Sequence, residues 1–183
     1  MDSNFQFNTP ERPDPVYFEQ VFAEKPGGGL VASAGYDLKP TTAVGESSGK
    51  FAAIKAYRLT KAVAEADTKI QIAKGSGVAK GDVIGHGAVA VACTAVNSAN
   101  DEYDEVTVSL GVAIPAGTVL YEAEAASADA AKPKYIPVYV IGNTVPANTG
   151  DFPIRLVNGA NLRKETANIA SEVAALLPMI NLV

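Results

Sequence analysis

A chain of 183 residues is long enough to bury a core without disulfides or metals, and it fits one domain or two small ones. Its net charge of -5 and scattered basic residues, with no cluster larger than Arg163-Lys164, exclude binding to bare nucleic acid, which needs a basic stripe to displace counterions. Hydrophobic residues make up 48%, but tryptophan is absent and aromatics reach only 7%, so the core is built from small side chains, a composition that suits compact β structure with tight turns better than a helix bundle.

Residues 1–50 differ from the rest. Pro10, Pro13, Pro15 and Pro26 fall close together and are followed by Gly27-Gly28-Gly29, a combination that removes backbone donors and keeps the chain pliant. Phe5, Phe7, Tyr17, Phe18 and Phe22 lie in the same region, more aromatic residues than a disordered tail carries. The segment reads as an extended arm whose aromatics pack either on a partner surface or back on its own domain, and both remain open. Val16–Ala23 has the makings of a short strand or helix. Removing residues 1–25 is expected to leave the β region folded.

From Phe51 to Ala123 the pattern is of short strands separated by turns. Phe51–Val63 opens it. Thr68–Ala73 alternates, with Ile70 and Ile72 on one face and Lys69 and Gln71 on the other, as a half-buried strand does. Gly75-Ser76-Gly77 and Ala79-Lys80-Gly81-Asp82 are turns leading into Val83-Ile84. Val89, Val91, Cys93 and Ala95 alternate along a further strand, and Val106–Leu110 and Val119–Tyr121 follow, the last after the turn Ile114-Pro115-Ala116-Gly117-Thr118. Turn signals every 8 to 12 residues indicate a sandwich or small barrel. Glu122–Lys132 is an alanine-rich linker or helical turn. Tyr135–Ile141 reads as a strand that Pro137 places at an edge or a bulge, and Ile154–Val157 as another. Ile169, Val173, Leu176 and Ile180 carry helical spacing, which predicts a helix over Ala167–Leu177 ended by Pro178, with the apolar residues 179–183 docked on this chain or a neighbour. There is no repeat of fixed period and no heptad pattern.

Little in the chain suggests chemistry. His86, the one histidine, sits in Gly85-His86-Gly87 with no nucleophile in its pattern, and one histidine with one cysteine cannot make a standard zinc site. Cys93 lies in an apolar run as a small core residue and has no partner for an intrachain disulfide. Residues 97–105 gather four carboxylates. Their spacing departs from the EF-hand loop, so a solvated acidic hairpin is the first reading and calcium ligation the second. The glycines at 27–29 and 75–77 match neither a dinucleotide nor a phosphate loop. No catalytic residues, metal or cofactor are expected. No stretch nears the roughly 20 apolar residues of a membrane-spanning helix, and Met1-Asp2-Ser3-Asn4 opens no secretory signal, so the expectation is a soluble protein made in a bacterial cytoplasm.

Two stretches resemble the β-clip module. One is Thr68–Gly85, a strand and a glycine turn followed by Lys80-Gly81-Asp82-Val83-Ile84. The other is Asp104–Leu120, which ends in Ile114-Pro115-Ala116-Gly117-Thr118-Val119-Leu120. Over residues 10–183 the chain also resembles the head-fibre family of Bacteroidetes phages and prophages, in which an arm precedes a β-clip-like region, a strand of the Tyr135-Ile136-Pro137-Val138 type and a helical terminus like Val173–Leu182. That resemblance implies a mostly β fold, a β-clip-like small barrel or sandwich with an extended N-terminal arm (1–50), a β-clip-like domain (51–123), and a linker, further strands and one C-terminal α-helix (124–183). It implies a non-enzymatic virion protein on the capsid exterior, a head fibre or decoration subunit. The partners it implies are the major capsid protein and, by analogy with decoration proteins, two further copies in a homotrimer, with contact to host-surface glycans left open. The alternatives are a ligand-binding module of the antifreeze-like type, recognising a carbohydrate or peptide, and an enzyme on the same scaffold such as a dUTPase, whose motifs are missing.

Overall fold

The structure is a computed structural model and describes residues 15–183. Its strands form three curled sheets that make a half-barrel, with one short helix, so the mostly β expectation holds.

The largest sheet draws on both ends of the chain. From the first part come β1 (Phe18–Glu24), β2 (Gly29–Val31), β3 (Ala43–Ser47) and β4 (Lys50–Ala53). The chain then leaves for the second lobe through β5 (Ala56–Arg58), β6 (Lys69–Ala73), β7 (Val83–His86), β8 (Val89–Ala92), β9 (Ala95–Asn97), β10 (Tyr103–Thr107) and β11 (Val119–Glu122). It returns with β12 (Pro137–Ile141), β13 (Phe152–Ile154), β14 (Leu156–Leu162), the helix α1 (Ser171–Ala174) and β15 (Ile180–Leu182). The large sheet runs β1-β14-β12-β3-β4-β2-β13, with β15 also on β14. The second lobe holds a three-stranded sheet β6-β10-β9 and a four-stranded sheet β5-β11-β7-β8. Residues 18–47, read as arm and loops, thus supply three strands of the large sheet.

One tight turn recurs without fixed spacing. Lys39, Ala64, Ala79 and Pro115 each accept a hydrogen bond at their carbonyl from the amide three residues on, Thr42, Asp67, Asp82 and Thr118 respectively. In three of the four the residue before that amide is left-handed, at Thr41, Gly81 and Gly117. Leu38, Val63 and Ile114, which lead into three of these turns, bind across the fold in pairs. Leu38 and Val145 exchange two backbone hydrogen bonds of 2.9 Å each, and Val63 and Ile114 exchange bonds of 2.8 and 2.9 Å. Each pair closes one lobe over its own core. One core contains Leu38, Val44, Ile141, Val145 and Leu156, and the other Leu59, Ile70, Ile72, Ile84, Val106, Ile114 and Leu120. A third cluster joins the lobes beneath α1. Here Ala56, Val119 and Tyr121 of the second lobe meet Val140, Val157, Ala160 and Leu162 of the large sheet, with Ile169, Val173 and Leu177 above them.

Several sequence readings change in detail. The apolar run through Val89–Ala95 is two strands. The chain turns at Cys93-Thr94 from one second-lobe sheet to the other, because Cys93 N–H is held by the Asp82 carbonyl and Thr94 N–H by that of Thr107. Phe51–Val63 likewise breaks at Ile54-Lys55, where it passes from the large sheet to the second lobe. Of the two readings for Pro137, the bulge is the one found: it opens an interior strand, and the register shifts between Pro137 and Tyr139. The helix over 167–177 shrinks to the four residues of α1. Its first half is held extended: the Arg58 guanidinium donates to the Ala167 carbonyl, and Asn168 donates to the hydroxyls of Thr41 and Thr42. Its second half tightens through Leu176→Val173 and Leu177→Ala174 bonds before Pro178, so Leu176 points outward and Leu177 is buried instead. Residues 180–182 dock on their own chain as β15, parallel to β14.

Candidate functional site

Phe5 and Phe7 lie outside the described residues. Tyr17, Phe18 and Phe22 are on or beside β1, and β1 lies on the molecule itself as an antiparallel edge strand of the large sheet. Phe18 and Val21 pack against the interlobe core, opposite Leu162 and Ala160. The strand is tied at both ends. Below it, Lys25 N–H reaches the Leu156 carbonyl and Glu24 pairs with Arg155. Above it, Arg163 N–H reaches the Tyr17 carbonyl, the Arg163 guanidinium pairs with Glu19, and the Thr166 hydroxyl donates to the Val16 carbonyl. Removing residues 1–25 would therefore take away a strand and uncover core, contrary to the expectation from sequence. A cut after residue 14 spares both.

Phe22 faces the other way. Its ring lies across Gly159 of β14, where an added Cβ would sit 2.8 Å from the ring, and the side chain remains 49% exposed. On the far side of β14 the C-terminal segment presents Met179 and Val183, both exposed. The β1-β14-β15 ribbon thus gathers both ends of the described chain, with its inner residues Val21, Ala160 and Ile180 in the core and apolar groups left outside. Three register irregularities and the charges of Glu19 and Glu24 interrupt the free edge of β1, features that discourage indiscriminate strand pairing.

The second feature joins the lobes. A cleft of about 460 Å³ opens between the 32–36 loop, β4, the turn after β6 and the segment following β11. Its walls are small, with Ala32, Ala34, Ala52, Ala53 and Ala79, and its polar side chains are Ser33, Tyr36, Lys55, Glu122, Lys134 and Tyr135. Beneath the cleft floor, Asp82 accepts from Lys55 Nζ at 3.0 and 2.8 Å, from the Tyr57 hydroxyl at 3.0 Å and from Ala79 N–H at 2.9 Å. Asp82, the acid of the Lys80-Gly81-Asp82 turn, is thereby a tie between turn and neighbouring strand. Glu122 is 3% exposed and accepts from Lys134 Nζ at 2.7 Å through Oε1, while its Oε2 makes no hydrogen bond among the described residues. Burial first, then the Asp82 and Glu122 charges, hold the Tyr57 phenol far above its usual range, and burial with the same two carboxylates does so for Tyr36. Tyr36 lies against Gly77, whose missing Cβ would fall within 2.2 Å of the ring. The cleft residues come from segments far apart in sequence and share no motif, and the paired Lys134-Tyr135 beside Pro133 gave no sign of it.

His86 lies with its Nδ1 3.0 Å from Glu172 Oε1, outside in-line hydrogen-bond geometry, while the same oxygen accepts Gly87 N–H at 2.8 Å. Burial alone would raise the Glu172 pKa. His86, Gly87 N–H, its own amide and the Ser171 hydroxyl outweigh it and bring the carboxyl down to about 2. The pair clasps the β7-β8 hairpin to α1. In the acidic segment, Asp104 and Glu105 are drawn into β10 and pair with Lys74 and Lys69, both at 2.7 Å, and Asn97 and Asn100 cap the loop through their side-chain oxygens. Among the described residues, no group of three or more His, Cys, Asp or Glu is placed to hold a metal ion. Likewise among them, no helix is long and apolar enough to cross a membrane.

Comparison of the chain with family models, with curated proteins and with solved structures gives no match.

Proposed function

We propose that this chain is a structural subunit of a phage head, a decoration or head-fibre protein that docks on the outside of the capsid as a homotrimer and contributes shape and adhesion rather than catalysis. The observation that carries the reading is the β1-β14-β15 ribbon. It is fixed to the core on one side, leaves Phe22, Met179 and Val183 exposed, and follows in sequence residues 1–14, which include Phe5 and Phe7. A face backed by the core and carrying a few apolar anchors is an arrangement by which one protein seats on another, with an aromatic anchor supplying much of the energy. The resemblance of the chain to the head-fibre family points to the capsid as the partner, and closed cyclic symmetry is the usual form for such subunits.

The test is co-sedimentation with purified capsids of the parent phage. Wild-type protein is expected to pellet with heads, and Phe22→Asp to lose about tenfold or more in affinity, the scale of one buried aromatic anchor. Full occupancy by both Phe22→Asp and a chain lacking residues 1–14 would remove the ribbon as the docking face.

A further inference from the structure

The interlobe cleft is separate from the docking ribbon and has features a purely structural seam does not need. Its volume of about 460 Å³ lies within the roughly 300–1,000 Å³ range of small-molecule sites. The carboxylate oxygen Glu122 Oε2 borders it without a hydrogen-bond partner among the described residues, an acceptor free to take a hydrogen bond from water or a ligand. The hydroxyls of Tyr36 and Tyr135 also make no hydrogen bond among the described residues.

The charges decide the ligand class. Lys55 is matched by Asp82 and Lys134 by Glu122, so the cleft has no net charge with which to attract a phosphate, a carboxylate or a cation. What remains is a set of donors and acceptors beside tyrosine rings and alanine walls, with Lys55 Nζ and Lys134 Nζ each 5.9 Å from the centroid of the Tyr36 or Tyr135 ring. Such a site suits a neutral ring with hydroxyls on its edges and C–H groups on its faces. We propose that the interlobe cleft binds a neutral saccharide unit, with Glu122 Oε2 accepting from a sugar hydroxyl, Lys134 donating to one, and the Tyr135 ring against the sugar's apolar face. The proposal stands independently of capsid docking, since none of these residues lies on the ribbon.

Saturation-transfer NMR on the full chain, with glucose, galactose, N-acetylglucosamine and lactose as probes, tests it. At least one of these sugars is expected to receive saturation from the protein. Glu122→Gln and Tyr135→Ala should each weaken that binding about tenfold or more, Tyr135→Phe should largely retain it, and Phe22→Asp should leave it unchanged. Tyr135→Ala keeps the Cβ that packs beside Gly45 and alters a part-exposed residue, so it carries the test if Glu122→Gln does not fold. The proposal is overturned if no sugar of the panel binds, if binding survives in Tyr135→Ala, or if inorganic phosphate or glycine displaces the sugar.

Discussion

Glycines that receive aromatic rings do the work that bulky core residues do elsewhere, because a chain without tryptophan needs its few rings closely seated. Gly159 is the sharpest case. A Cβ there would meet the Phe22 ring and the Ala23 Cβ, both at 2.8 Å, and although the ring can swing outward the Ala23 methyl cannot. Gly159→Val is expected to loosen β1 and cost about 1–3 kcal/mol in denaturant unfolding, whereas Phe22→Ala, on a half-exposed ring, should change stability little. Unchanged stability in Gly159→Val would mean that β1 is not held as described. Glu172 gives a pH signature. Its folded pKa, about 2, lies below the ordinary value of 4.5, so its stabilising contribution is complete above 4.5 and is lost as pH falls from there towards 2. Unfolding midpoints measured across that window should fall for the wild type and fall less for Glu172→Gln. Parallel curves would show that the clasp with His86 and Gly87 contributes nothing. None of these partnerships could be read from the sequence, since each joins residues distant along the chain.

Elements were legible where period and turn chemistry agree and obscure where tertiary ties override them. The alternation over residues 68–73 matches β6, and the Pro-Ala-Gly-Thr turn at 115–118 leads into β11 as its glycine and proline dictate. The C-terminal stripe misled because Ile169, Val173 and Ile180 are buried for three different reasons: an extended approach, a helical turn and a strand. The turn at Asp82 was legible as a turn, but its acid had no evident purpose until Lys55 and Tyr57 were seen to converge on it. Asp82→Ala should cost about 3 kcal/mol, because it strands a largely buried ammonium and a buried phenol together. Thermal or denaturant unfolding checks this, and a loss below about 1 kcal/mol would mean that water replaces the carboxylate readily.

At the scale of the molecule, the sequence reading anticipated a mostly β chain without anticipating how the ends return. Residues 18–53 and 137–182 build one sheet around a second lobe formed by the middle of the chain, a long-range pairing that no local pattern encodes. The same return places β1 and β15 on either side of β14 and creates the ribbon on which the docking proposal rests, while the seam between the lobes creates the cleft. Of the residues singled out as an adhesive arm, Phe18 belongs to the interior of this arrangement and Phe22 to its outside, a division set by the bulges of β1 and invisible in composition. The most direct measurement of the central claim is an electron cryomicroscopy map of the purified parent virion. Density for this fold is expected on the outer surface of the head, with the β1-β14-β15 ribbon and Phe22 turned towards the shell. Virions that carry no copy of the chain, or that hold it with the ribbon facing solvent, would contradict it.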